Sequence, residues 1–213
     1  SAASDVYKRQ TYIIIFLTVI VSIAALRNRT LFDRLSLVPY RVVHDRQWWR
    51  VITHGFVHGD YVHLAVNMFV LLSFGQFIER FFGAYQQIGL VSNGDLWYLL
   101  LYFGGMVAAS VYDLIRYRNN PRYASIGASG AVSAVVFASI FFNPWSKIYL
   151  LGVIPIPGII FGLLYIGYSS YMGRRQGDRI NHFAHLFGAL FGFLFPLLMN
   201  PSFFSVFWDN LTK

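Results

Sequence analysis

His63 and Asn67 stand four residues apart near the start of a long apolar run, so on a helix both project from one face, one turn apart. Polar groups in such a run are costly in lipid and mark a site. Ser129 lies within Gly127-Ala128-Ser129-Gly130 at the head of another apolar run, and His185 lies near the head of the last. A hydroxyl, an imidazole and amide donors are the parts that acyl transfer needs: nucleophile, base and oxyanion stabilisers. Gly127 and Gly130 let the backbone approach a carbonyl, and the Ser129 amide falls near a helix N-terminus, where unpaired donors and the dipole favour negative charge. Taken alone, Ser129 reads equally as a helix N-cap, and Asn67 or His185 as an interhelical hydrogen-bonder.

The elements that must hold these groups are membrane helices. The chain is 56% hydrophobic and 12% charged, with mean hydropathy +0.52, too little charge to cover a soluble globule of this size. The net charge of +8 comes in short clusters between apolar runs, which fits lipid head groups and not nucleic acid. The absence of Cys excludes disulfides, thiolate chemistry and Cys-ligated metals. Residues 1–10 are polar and basic and read as a leader or non-native segment.

Measured against the roughly 20 residues that span a bilayer, six apolar runs follow: 11–26, 61–82 (ended by Gly83), 96–115, about 126–142, about 157–172 and 180–199. The expected fold is all-α, a six-helix polytopic membrane domain over 11–200, with a C-terminal tail at 201–213. Asn143-Pro144 and Asn200-Pro201 are helix stops, and Ile154-Pro155-Ile156-Pro157 cannot be helical throughout. Two glycine pairs, Gly158/Gly162 and Gly188/Gly192, allow close helix approach; the second pair follows His185 and brings it towards a neighbouring helix. Residues 27–60, with Arg41, Arg46, Trp48, Trp49 and Arg50, suit a structured interfacial loop whose guanidinium groups reach water or phosphate.

Together these residues resemble the rhomboid intramembrane serine proteases. The resemblance rests on Trp49-Arg50, His54, His58, His63 and Asn67, Glu79 and Gly83, Gly127-Ala128-Ser129-Gly130, and Ala184-His185 with Gly188 and Gly192. It implies a Ser129–His185 dyad, oxyanion donors from His63, Asn67 and Ser129, and supporting roles for Gly127, Gly130, Gly188, Gly192, Trp49 and Arg50. It also implies transmembrane protein substrates, a membrane-lipid environment, no cofactor and no metal, and a place in a bacterial inner membrane. No pattern in the sequence speaks to oligomeric state. One position departs from the family: four residues past the serine, where many members carry an aromatic ring that packs on the base, stands Ser133.

A dyad is expected instead of a triad because Asp178 falls in a polar loop and Glu79 at the far end of its helix. Glu79 is expected to satisfy loop groups, and His54 and His58 to tie the first loop to the second helix. Orientation divides two arguments. An inside N-terminus would leave only Lys8, Arg9, Arg80, Lys147 and Lys213 of the seventeen basic residues on the cytoplasmic side, against the positive-inside rule; the resemblance nonetheless implies it. Two other classes stay open, a membrane metalloenzyme using His54, His58, His63, His182 and His185, which lacks the His-Glu-x-x-His pattern, and a catalytically silent rhomboid-like binder of membrane helices.

Overall fold

A computed structural model describes residues 9–150, 152–175 and 180–213; the segment 1–8 and Asp178 lie outside the described residues. Helix α1 (Arg9–Arg27) leads into a loop carrying three short helices, α2 (Arg29–Leu35), α3 (Pro39–His44) and α4 (Arg50–Thr53), then a single 3-10 turn at His54–Phe56. Next come α5 (Tyr61–Gln87), α6 (Gly94–Arg116), α7 (Ser129–Phe142), a hairpin of β1 (Lys147–Leu150) and β2 (Ile154–Pro157), α8 (Gly158–Arg175), α9 (His182–Met199) and α10 (Phe203–Leu211). Among the described residues four helices, α1, α5, α6 and α9, are long and apolar enough to cross a membrane. With α7 and α8 they account for the six expected runs.

Helix α7 is the axis of the bundle. Every residue from Gly130 to Phe142 is buried, as befits a helix apolar on all sides. Its 14 residues rise only about 21 Å, less than the roughly 30 Å of a hydrocarbon core, so it is too short to reach both faces of a bilayer. It begins at Ser129 and not at Ile126 because Gly127 takes φ 109°, a left-handed conformation that ends any helical path.

Side-chain caps fix the neighbouring starts: Asp60 accepts from the His63 amide, Asn93 from Leu96 and Asn181 from Ala184. Gly83 does not stop α5, which continues to Gln87. The start of α6 packs on this part of α5, a Cβ on Gly94 lying 2.7 Å from the Phe82 carbonyl oxygen, and the turn comes later at Gly89, φ 75°. Glu79 serves a helix and not a loop: its carboxylate accepts from the Gln10 and Thr11 amides at 2.8 and 3.0 Å and from Thr11 Oγ1 at 2.6 Å, closing the N-terminus of α1. Arg9 and Gln10, grouped by the sequence with the leading segment, form the first residues of α1. The 201–213 segment is likewise no loose tail, since Phe203 of α10 is fully buried against Tyr85 and Phe142. The Ile-Pro-Ile-Pro run forms β2, paired antiparallel with β1.

Candidate active site

The loop before Ser129 is held by two buried histidines. The Gly127 amide donates to the His54 carbonyl at 2.9 Å, and the Ala128 amide donates to His58 Nε2 at 3.3 Å. Since Nε2 accepts, Nδ1 of His58 carries the hydrogen and donates to Ser22 Oγ at 2.8 Å, which in turn donates to the Phe56 carbonyl. Burial pushes the His54 imidazole down to about 4 and that of His58 to about 3, keeping both neutral so that His58 can accept. His54 Nε2 also meets Ser110 Oγ of α6 at 3.0 Å. These histidines thus tie the first loop to the loop before Ser129, α1 and α6, and the His58 ring packs edge-on against His63 of α5 at 4.9 Å between centroids, the tie to the second membrane helix that was expected.

Glycines then bring Ser129 and His185 together. A Cβ on Gly188 would overlap the Gly130 carbonyl, one on Gly192 the Ala134 carbonyl, and one on Gly130 the Ala109 methyl, so α9 lies backbone to backbone on α7. At that separation Ser129 Oγ and His185 Nε2 stand 2.7 Å apart, hydrogen-bond geometry in which a serine hydroxyl can pass its proton to an imidazole. The ring that Ser133 lacks is supplied from α8. Tyr165 lies parallel to His185, interplanar angle 18° and centroids 6.4 Å apart, and its hydroxyl meets Ser133 Oγ at 2.7 Å. His182, the first residue of α9, is buried and packs edge-on against Tyr168.

Ser129, His185, His63 and Asn67 line one cavity of about 980 Å³, walled by Val66 and Val70 of α5 and by Phe161 and Tyr165 of α8. Asn67 is buried and spends one amide hydrogen on the His63 carbonyl, 2.8 Å away; the second hydrogen remains to donate. The His63 ring abuts Gly127, where an added Cβ would lie 2.9 Å from Cε1. A side chain at position 127 is therefore barred twice, by φ and by the imidazole. Helix starts place the set: α5, α7 and α9 all begin at this end, and the Ser129 amide is in the unpaired first turn of α7.

Trp49 and Arg50 do not line the cavity. Arg50 is 2% exposed and donates from Nη1 to the Asp33 and Ser36 carbonyls at 2.8 and 2.7 Å and from Nε to Gln47 Oε1 at 2.6 Å. Its guanidinium is turned into the loop and not towards phosphate, and burial holds its pKa below the usual value. Trp48 and Trp49 are exposed, as interfacial indoles would be.

One buried group escaped the sequence reading. Asp113 accepts from Tyr123 Oη at 2.9 Å, Ser125 Oγ at 2.7 Å and Asn181 Nδ2 at 2.7 Å, linking α6, the loop before Ser129 and the cap of α9. Burial and the nearby Asp113 carboxylate raise the Tyr123 pKa, which keeps the phenol a donor. The signal was available: Asp113 is the one charged residue in the 96–115 run. Among the described residues no three His, Asp or Glu side chains gather as a metal-ligand set; His54, His58 and His185 are each turned to a different serine.

Comparison with known proteins agrees in register. A Rhomboid domain model matches residues 45–202. RHOMBOID-like protein 4 of Arabidopsis thaliana is 34% identical over 166 residues, 76% of this chain and 37% of its own. Rhomboid-like protein 11, chloroplastic, is 32% identical over 168 residues, 72% of this chain and 53% of its own; RHOMBOID-like protein 12, mitochondrial, is 32% identical over 154 residues, 65% of this chain and 43% of its own. The chain thus spans about half or less of the length of these curated relatives. Their names lend no support to the bacterial inner membrane that the resemblance implied. The match extends from the first loop to the end of α9 and takes in both helices that carry the Ser129–His185 pair, so the chain belongs to the rhomboid family of polytopic membrane proteins.

Proposed function

We propose that the chain is an intramembrane serine endopeptidase acting on transmembrane segments of other membrane proteins through a Ser129–His185 dyad. The observation that carries this reading is the 2.7 Å contact of Ser129 Oγ and His185 Nε2 at the start of α7, in a cavity shared with His63 and Asn67. Ser129 Oγ attacks the scissile carbonyl carbon while its proton passes to His185 Nε2. The oxyanion takes hydrogen bonds from the Ser129 amide, Asn67 Nδ2 and the His63 ring. Collapse breaks the C–N bond, the leaving amine takes the proton from His185, and water repeats the sequence on the acyl-enzyme to release the acid.

The cavity supplies what hydrolysis inside a bilayer demands, namely room for water at the dyad. A helical substrate has its carbonyls engaged in i to i−4 hydrogen bonds and must unwind locally to present an extended bond. Gly in a helix costs about 1 kcal/mol and Pro about 3 kcal/mol relative to Ala, so substrates with such residues just beyond the scissile bond are favoured. Small side chains are favoured at the bond itself. The first loop bears on orientation: Arg50 is buried and consumed by carbonyls within the loop, so its charge is held by structure and weighs less as a topology signal, in keeping with an inside N-terminus.

A fluorophosphonate probe tests the assignment. The purified protein in detergent is expected to label at Ser129 with or without a chelator, and Ser129→Ala to stay unlabelled. Labelling abolished by the chelator would move the site to the metalloenzyme class. No labelling, together with retained capture of a single-pass membrane protein in liposomes, would assign the chain to the silent helix-binding class.

A further inference from the structure

We propose that Tyr165 is the positioning residue of the base, and that the alignment of the dyad therefore depends on how α8 is seated against α7. The inference rests on the serine-dyad reading above. An imidazole on a helix keeps two side-chain torsions, and a flat wall parallel to the ring removes much of that freedom before reaction. Tyr165 forms such a wall, and it is pinned from two directions: its hydroxyl meets Ser133 Oγ, and its ring lies against Phe137 with centroids 5.4 Å apart. Ser133 and Tyr165 thus exchange parts. A ring at position 133 would be carried by α7, the same helix as the nucleophile; here the ring rides on a different helix.

That helix meets α7 along one stripe, while its last turns pack on the start of α9, Tyr168 on His182 and Gly173 on Phe183. Gly158, Gly162 and Ser169 are the buried residues of α8, spaced with Tyr165 at helical intervals on the face towards α7. A Cβ on Gly162 would lie 3.4 Å from the Phe137 ring and 3.5 Å from Ile140. The opposite face is open, Leu163 being 67% and Leu164 61% exposed. Any displacement of α8 from this seat, including one that widens the cavity between α5 and α8, carries the Tyr165 ring away from His185 while leaving the α7–α9 contact intact. The base is firmly placed only when α8 is home.

The test uses a small water-soluble fluorophosphonate, which reaches Ser129 without a transmembrane substrate, alongside cleavage of a single-pass membrane protein. Tyr165→Leu is expected to slow labelling about ten- to a hundredfold and to lower kcat for the protein substrate with KM nearly unchanged. Tyr165→Phe, which keeps the ring, should stay within about threefold of wild type. The exchange variant Ser133→Tyr/Tyr165→Leu returns the ring to α7 and should recover most of the labelling rate. Gly162→Leu, which pushes on the seat, should slow labelling in the wild-type background but not in the exchange background. Thermal melts accompany each variant, and Gly162→Ala serves as the mild form should Gly162→Leu not fold. Wild-type labelling with an unchanged rate in Tyr165→Leu would overturn the positioning role; an equal effect of the Gly162 substitution in both backgrounds would overturn its dependence on α8. Failure of the wild type to label would instead overturn the serine-dyad reading itself.

Discussion

Helix α5 carries a polar cluster at each end, and the two are built to opposite specifications. At its lower end Glu79, Thr11 and Tyr98 are 3%, 0% and 0% exposed; the carboxylate accepts three hydrogen bonds, and Thr11 Oγ1 also meets Tyr98 Oη at 2.8 Å. About 24 Å away along the helix, His63 and Asn67 face a cavity of about 980 Å³ with Ser129 and His185. Polar groups in a membrane bundle are expensive in both places. The lower cluster offsets the cost by pairing its carboxylate with the free donors of a helix start, and nothing is left to bind. The upper cluster keeps donors and the Ser129 hydroxyl facing open volume, an arrangement that does little for stability and fits the chemistry proposed for it.

The contrast is broken most sharply by Ser129→Ala or His185→Ala. Each should reduce proteolysis of a membrane substrate by at least about a thousandfold while the melting temperature holds, since neither opens a large cavity. Cleavage persisting in Ser129→Ala would end the serine-protease reading. Asn67→Ala should cost about a hundredfold in kcat; a loss of threefold or less would make its bond to the His63 carbonyl its whole role. Glu79→Ala should do the reverse of the dyad variants, leaving two amides and a hydroxyl at the start of α1 without their acceptor. About 3 kcal/mol of stability should go, seen as earlier thermal unfolding in detergent, with turnover per folded molecule unchanged. Lost activity without lost stability would place Glu79 in the chemistry.

The smallest effect concerns acid. His58 is held neutral with its pKa lowered from 6.5 to about 3 by burial first and by neighbouring His63 second. Between those limits the unfolded chain takes up a proton that the folded chain refuses, so stability is full above about pH 6.5 and declines as pH falls towards 3. Melting temperature should fall on acidification through that window. His58→Gln, which keeps an acceptor for the Ala128 amide, should flatten the slope; an unchanged slope would assign the acid lability to other groups.

Much of the frame is legible along the chain. The six apolar runs each become a helix, four of them long and apolar enough to cross a membrane, because a lipid environment demands continuous intrahelical hydrogen bonding, and the stops at Asn143-Pro144 and Asn200-Pro201 hold. The glycine pair at 188 and 192 correctly announces the approach that joins His185 to Ser129. Other readings fail for a common reason. Gly83, the tail at 201–213 and Arg50 were judged by local character, yet a glycine can continue a helix when its neighbours pack on it, an aromatic tail will bury Phe203 if a groove awaits, and an interfacial arginine will turn inward to carbonyls. Asp113 was visible as the one charge in its run, but its partners Tyr123, Ser125 and Asn181 have no periodic relation to it.

The sequence by itself determined the medium, the family and the reactive groups: hydropathy, helix periodicity and the glycine spacing are local properties, and they survive without knowledge of what packs on what. Only the tertiary structure decided how those groups are held. It placed His54 and His58 behind the loop that precedes Ser129, set Ser129 at the head of a short central helix, and put the Tyr165 ring of α8 beside His185, where Ser133 offers none. Such pairings join residues tens of positions apart, and they depend on which faces of which helices meet. That is settled by the simultaneous packing of the whole bundle, for which no single segment carries a signal.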